Sequence, residues 1–497
     1  MLASLGIDLP TAVLLCLAIL LALTFEFVNG FHDTANAVAT VIYTHSLKPA
    51  QAVVWSGSWN LIGVLTSSGA VAFGIVALLP VELVINVGSG AGFAMVFALL
   101  VSAIVWNLGT WYLGLPASSS HTLIGSIVGV GLMNSLLSPD SAFGDGVNWA
   151  KVADTVKALV FSPLIGFVVA GLLLWLAKKL ILKPELFAAP EGKAPPPWWI
   201  RVLLVLTCTG VSFAHGSNDG QKGMGLIVLI LVGIVPATFA LDMSASGDAL
   251  TRLSGSATQF SQTLQTLPAA AAVPAPDADN AHKALTQYLR SGHPNAATLP
   301  ALATVNHRVE AGLAGVKNLS AVPALERRAL RLDIYLVSET LARMGKAKQL
   351  PAGLEAKSAG SYQKALKSLT NYIPIWVKVS VALALGLGTM IGWKRIVVTV
   401  GEKIGKAHLT YAQGASAELV AFGAIQGADI LGLPVSTTHI LSSGIAGTMV
   451  ANGSGIQKET VRSIILAWVL TLPVCVLLGA ALFGAGLLFV LRVAGVP

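Results

Sequence analysis

The chain has 497 residues, of which 55% are hydrophobic and only 11% charged, with a mean hydropathy of +0.75. Soluble domains carry about 25% charged residues, so this composition excludes an ordinary soluble enzyme and marks an all-α polytopic membrane protein set in the lipid bilayer. The net charge of +8 would suggest nucleic acid in a soluble chain. Here much of the excess lies in loops, at Lys178, Lys179, Lys183, Lys193, Lys394, Arg395, Lys403 and Lys406, as the positive-inside bias of membrane loops requires, and no nucleic acid is expected.

Apolar runs near the roughly 20 residues of a spanning helix occur at 10–29, 50–79, 91–113, 157–182, 200–219, 222–241, 373–392, 411–431 and 461–492. The first has no basic leader and no cleavage site, and it carries Glu26, so it reads as a retained helix and not a signal peptide. Segments 117–135 and 435–451 are apolar but short, and each follows a Pro-Ser/Thr cluster. They are expected to form two re-entrant hairpins, covered by protein or lining a wet cavity. Cys16, Cys208 and Cys475 sit in apolar runs without metal-ligand spacing and read as packing residues.

Two polar motifs interrupt the apolar sequence, and each occurs twice. Asn29-Gly30-Phe31-His32-Asp33-Thr34-Ala35-Asn36 returns as His215-Gly216-Ser217-Asn218-Asp219-Gly220-Gln221-Lys222. Gly114-Leu115-Pro116-Ala117-Ser118-Ser119-Ser120-His121 returns as Gly432-Leu433-Pro434-Val435-Ser436-Thr437-Thr438-His439. Polar groups are costly in hydrocarbon, and the same pair in the same order in both halves predicts a site between two repeats. The two offsets are about 186 and about 318 residues, so about 132 residues are extra in the second half. Composition places that insert. From 243 to 371 the apolar runs stop, and about 22 of the charged residues fall there, which predicts a water-exposed, largely helical segment.

The chain therefore divides into a first membrane repeat (1–182), a basic connecting loop (183–199), the start of the second repeat (200–242), a polar soluble insert (243–371) and the remainder of the second repeat (372–497).

Glu26, Asn29, Asp33 and Asn36 follow helical spacing and line one face; Ser212, His215, Asp219 and Lys222 form the matching stripe. Carboxylate and amide oxygens on one face suit a hard cation or a proton that comes and goes. Asn218 belongs to the same band. Asp33 and Asp219 are the candidate cation or metal ligands, and Lys222 serves either as ion-pair partner for Asp219 or as counter-charge for an anion. In the second motif, proline suits a first helical turn and Ser or Thr its cap. A helix start inside the membrane offers unpaired N–H groups and a positive dipole end, which bind anions. Ser118, Ser119, Ser120, Ser436, Thr437 and Thr438 are thus candidate oxyanion ligands. His121 and His439 either carry protons or orient the tips. Glu418 lies within a span, Glu82 near a span end, and Asn107 and Thr110 nearby are candidate supporting groups.

These motifs resemble the duplicated signature of the PiT family of inorganic phosphate transporters, and the length and insert position are similar to its bacterial low-affinity members. The resemblance implies an inverted-repeat transporter with phosphate as substrate. By the same resemblance, the six tip hydroxyl residues bind phosphate, while Asp33, Asn36 and Asp219 bind or relay the coupling cation. Bacterial members of this type are similar in being proton-driven and in carrying phosphate with a divalent metal such as magnesium. Other branches use sodium, and a related group carries sulfate. Lys222 stands where Asn36 does, which argues against a symmetric pair of cation sites.

The leading expectation is a secondary active phosphate importer in a bacterial inner membrane, with no tightly bound cofactor and a homodimer as one open assembly. A sodium-coupled or sulfate carrier is the second reading. An intramembrane aspartyl hydrolase built on Asp33 and Asp219 is a distant third, because the duplicated hydroxyl tips have no role in that chemistry.

Overall fold

A computed structural model describes residues 7–33, 35–79, 83–84, 87–138, 142–145, 147–268 and 274–490, with the side chains of Ala35, Asn36 and Ala237 not described. Glu82 lies outside the described residues, as does the side chain of Asn36. No strand occurs among the described residues; an isolated bridge joins Gly405 and Ile456.

The first half contains α1 (Leu9–Asp33), α2 (Ala35–Tyr43), α3 (Pro49–Thr66), α4 (Ala70–Val76), α5 (Gly90–Tyr112), α6 (Ser119–Leu137) and α7 (Trp149–Leu180). One long helix, α8 (Trp198–Ile234), follows. Helices α9 (Gly247–Gln265), α10 (Ala278–Ser291), α11 (Thr298–Leu313), α12 (Ala324–Lys346) and α13 (Ala356–Thr370) come next. The chain ends with α14 (Ile375–Met390), α15 (Lys394–Glu402), α16 (Tyr411–Ile430), α17 (Thr437–Asn452) and α18 (Lys458–Phe489). Among the described residues six helices, counting α1 and α2 as one run, are long and apolar enough to cross a membrane, or up to eight if each of two bent pairs forms one span. The protein is a multi-pass membrane protein.

Packing exchanges partners between the halves. Helix α6 packs on α18 and α17 on α7, while α1 packs on α14 and α3 on both α8 and α14. The outer faces of α7 and α18 carry exposed Phe161, Leu164, Val168 and Leu172, and Leu466, Val469, Leu470 and Leu477. Such continuous apolar surface belongs against lipid and not water.

Two stretches differ from the sequence expectation. The run 50–79 bends by 75° between α3 and α4. The run 200–219 and residues 222–234 of the next form a single 37-residue helix, α8, about 55 Å long at 1.5 Å per residue. The glycines between them permit close approach and do not break the helix. A Cβ on Gly216 would lie 2.1 Å from the backbone oxygen of Asn60 in α3.

Helices α9 to α13 share an apolar cluster of their own, with Leu253, Phe260, Leu285, Val305, Ile334 and Leu366 among its members. Buried polar groups are paired inside it. Asn306 donates to Ser261 at 2.9 Å and accepts from the Tyr362 hydroxyl at 2.7 Å. Arg331 ties the two points where this segment leaves and rejoins the membrane helices, donating to Ala240 O at 2.5 Å and Thr370 O at 3.3 Å. Desolvation pushes its guanidinium down to about 10. Replacing Arg331 with Met leaves both carbonyls without that donor, a loss of about 1–3 kcal/mol. Hydrogen–deuterium exchange is then expected to accelerate at residues 240–243 and 369–372; unchanged exchange there would show that the clasp is idle.

Candidate functional site

The two copies of the hydroxyl motif fold alike, from local rules. Helices α5 and α16 each end at a glycine with positive φ, Gly114 (68°) and Gly432 (64°). In the first copy Gly114 N donates to Trp111 O and Leu115 N to Thr110 O; in the second, Gly432 N donates to Asp429 O and Leu433 N to Ala428 O. This paired bonding is the Schellman ending that glycine allows. A proline follows two residues on, and then Ser118 and Ser436 cap the next helices by accepting from His121 N (3.2 Å) and His439 N (3.1 Å). Each tip is therefore a turn between two helices that finishes at a fresh helix N-terminus.

The tips meet. Ser120 donates to Val435 O at 2.7 Å, and the rings of His121 and His439 lie 4.7 Å apart. His439 stacks on Trp468, whose indole N–H donates to Pro116 O at 2.8 Å. Residues 118–120 and 436–438 are all 1% exposed.

Beneath the tips lie the two aspartates, Asp33 at the end of α1 and Asp219 in α8, both buried. Ser119 donates to Asp33 Oδ2 at 3.1 Å, and Thr438 donates to Asp33 Oδ1. One carboxylate thus holds a hydroxyl from each tip. Asp219 Oδ2 accepts from Lys222 Nζ at 2.8 Å, and the same ammonium lies 3.0 Å from Ser119 Oγ. Asp33, His215 and Asp219 each offer a ligand atom within 4.8 Å of the others.

The tautomer of His215 is fixed from behind. The Thr389 hydroxyl donates to Leu385 O, and its oxygen accepts from Asn60 Nδ2 at 2.9 Å. That turns Asn60 Oδ1 toward His215 Nδ1, 2.9 Å away, so Nδ1 carries the hydrogen. The other nitrogen, Nε2, faces Asp219 Oδ2 at 3.5 Å and Asp33 Oδ2 at 3.9 Å. A bare lone pair facing two carboxylates is repulsive, so this position calls for a proton on Nε2 or a bound cation. His32 repeats the logic. Thr110 donates to Trp106 O and receives His32 Nε2 at 3.1 Å, which leaves Nδ1 facing Asp33 Oδ1 at 3.3 Å.

Several of the remaining sequence candidates adjoin this centre. Glu26 Oε1 accepts from Gly223 N at 2.6 Å and Oε2 from Asn29 at 3.4 Å. Asn218 donates to Leu433 O in the second tip at 3.2 Å. Asn29 Oδ1, Asn218 Oδ1 and Asp219 Oδ1 are buried without a hydrogen-bond partner among the described residues, so acceptor capacity is left over around the aspartates. Asn107 accepts from Thr122 at 2.9 Å. Glu418 sits apart, accepting from Thr40 and Thr207. Sequence reasoning missed Asn60, Thr389 and Asp429. Asp429 accepts from Ser217 at 2.7 Å and Gln221 at 2.6 Å, one turn before the second tip. Its signal was present, as an aspartate inside an apolar run.

The family described as "Phosphate transporter family" matches residues 29–479, from the first polar motif to within α18. This chain belongs to that family. Its relatives include the low-affinity inorganic phosphate transporters PitB and PitA of Escherichia coli (strain K12). PitB is 44% identical, over 96% of this chain and 97% of its own length. PitA is 43% identical, over 97% and 99%. A probable low-affinity inorganic phosphate transporter of Bacillus subtilis (strain 168) is 28% identical, over 94% and 96%. The solved structure of a sodium-dependent phosphate transporter shares the fold, with a TM-score of 0.51 at 19% identity, covering 96% of this chain and 99% of that one.

Gly223 tests how tightly the centre is built. A Cβ there would lie 2.3 Å from Glu26 Cγ, so Gly223→Ala must displace Glu26 and is expected to cost about 1–3 kcal/mol. Gly423, with nothing within 4 Å of its Cβ position, serves as control. Thermal unfolding in detergent should fall for Gly223→Ala and hold for Gly423→Ala; equal values would mean that Glu26 has room to move.

Proposed function

We propose that this protein imports inorganic phosphate across a bacterial inner membrane by symport with protons. Phosphate travels as a neutral complex with a divalent metal such as magnesium. The observation that carries the coupling is the His215 Nε2 position, aimed at Asp33 and Asp219 with Nδ1 already committed to Asn60. A proton arriving there neutralises the pair; its departure restores a repulsion that favours another conformation.

The phosphate site lies at the facing tips. Two helix N-termini and the hydroxyls of Ser118, Ser119, Ser120, Ser436, Thr437 and Thr438 supply the donors an oxyanion needs. Ser119 and Thr438 hold Asp33 in this arrangement, and arriving phosphate takes over those donors. Occupancy of the tips and the state of Asp33 are thereby linked. The exchanged packing of α6 on α18 and α17 on α7 supports inverted repeats that rock against one another in alternating access.

Sodium coupling is the second reading. It is favoured by the solved relative of the same fold, a sodium-dependent phosphate transporter, and by the spare acceptor oxygens of Asn29, Asn218 and Asp219. The Lys222 ammonium against Asp219 disfavours a divalent ion bound directly at that carboxylate, so the metal belongs with the phosphate.

Radiolabelled phosphate uptake into proteoliposomes tests the assignment, with imposed pH or sodium gradients and with or without magnesium. Uptake driven by an inward proton gradient and raised by magnesium is expected. Sodium-driven uptake would replace the ion, and sulfate uptake without phosphate uptake would replace the substrate. Asp33→Asn and Asp219→Asn should each abolish gradient-driven uptake while the protein still inserts; normal uptake in both would remove the carboxylates from coupling. Ser119→Ala and Thr438→Val should raise the KM for phosphate about tenfold or more, as loss of hydrogen bonds to a charged ligand implies.

A further inference from the structure

We propose that Lys222 is a built-in cation: its ammonium occupies the second of two repeat-related cation positions, so the transport cycle needs one fewer mobile cation than a symmetric site would. The proposal rests on the coupled-transport reading above and adds a statement about stoichiometry.

The duplicated motif is not copied exactly. Asn36 in the first copy corresponds to Lys222 in the second, three residues after each aspartate. An amide at that place contributes a ligand oxygen, whereas a lysine contributes the cation itself. The geometry fits the second role. Lys222 is fully buried, and its Nζ reaches Asp219 Oδ2 at 2.8 Å and Ser119 Oγ at 3.0 Å. A carboxylate from one half and a tip hydroxyl from the other thus coordinate one positive charge, as they would a bound monovalent ion.

Charge counting gives the consequence. Asp33 and Asp219 place two negative charges within reach of His215. For that aspartate pair Lys222 cancels one charge, and one further positive charge, at the imidazoles or on a bound ion, cancels the other. Without Lys222 the same pair requires two. Because the ammonium is tethered, it cannot leave with the substrate, so it lowers the number of charges moved per phosphate without removing the electrostatic balance of the closed site. It also holds Ser119, and through it the first tip, against Asp219 in every part of the cycle where that contact persists.

The test restores the residue found in the other repeat. Lys222→Asn is expected to move one additional positive charge per phosphate in proteoliposomes, measured as the ratio of current to isotope flux. Its uptake should depend more steeply on cation concentration than that of the parent. Purified Lys222→Asn protein without phosphate should also gain a thermal stabilisation by sodium or by acid that exceeds the parent's. Lys222→Arg keeps the charge and should keep the parent ratio even where its rate falls. A ratio and a steepness unchanged in a functional Lys222→Asn would overturn the proposal. Loss of stoichiometric control in Lys222→Arg as well would assign Lys222 to packing alone. If Lys222→Asn is too slow to assay, equal cation-dependent stabilisation in it and the parent would overturn the proposal. Failure of the parent itself to couple phosphate to any gradient would instead overturn the transport reading, so the two failures are distinguishable.

Discussion

Two buried carboxylates govern this molecule. Asp33 and Asp219 both lie buried in helices of a membrane protein, where an isolated charge is untenable. The polar groups nearby answer that constraint. Ser119 and Thr438 come down from the tips, Lys222 comes from the next turn of α8, and His32 and His215 turn a nitrogen toward the pair. Removing one member of such a network leaves its partner buried and unpaired, at a cost of about 3–5 kcal/mol. The candidate site is therefore also a fastening between helices whose apolar faces lipid can equally cover.

The fastening runs across the repeat boundary. Asp33 belongs to the first half but binds a hydroxyl from each tip, and Lys222 of the second half reaches Ser119 of the first. Helix packing shows the same exchange, because α6 leans on α18 and α17 on α7. A change in either tip is consequently felt by both halves. This is the mechanical requirement of a carrier, in which occupancy of one buried site must be sensed by both bodies that move.

The motifs were legible because polar residues stand out in apolar sequence, and duplication raised a weak pattern into a strong one. Arithmetic between two offsets set 243–371 apart, and the helices over that stretch share an apolar cluster of their own. The continuity of α8 was not legible, because the polar stretch that holds Gly216, Gly220 and Gly223 divides the apolar sequence into two runs. The cause of those glycines is tertiary, in the close approach of Asn60, Val64 and Glu26, which no local pattern reveals. Residues beside the basic loops near 178–201 and 393–410 meet in one apolar cluster, with Leu186 and Ile200 joined by Ile404 and Tyr411. Asn60 and Thr389 were invisible for a different reason. Each is a single polar residue in an apolar run, and only the chain of bonds from Leu385 to His215 gives them a role.

The departures from symmetry carry as much information as the repeats. Histidine and asparagine trade places between the copies: Asn29 corresponds to His215, and His32 to Asn218. Each aspartate therefore keeps an imidazole within about 3.5 Å, yet from a different helical position. A perfectly symmetric site would respond identically to the two sides of the membrane and would have no reason to prefer either closed arrangement. Here His215 faces both carboxylates, whereas His32 contacts Asp33 alone among them, and the fixed charge of Lys222 lies on Asp219 only. The two aspartates thus stand in different fields although they share one sequence pattern. Asp219 is already paired, so under the proposed coupling the exchangeable charge is drawn toward Asp33, which is also the carboxylate that both tips hold. On that proposal the asymmetry puts ion exchange and substrate contact on the same residue.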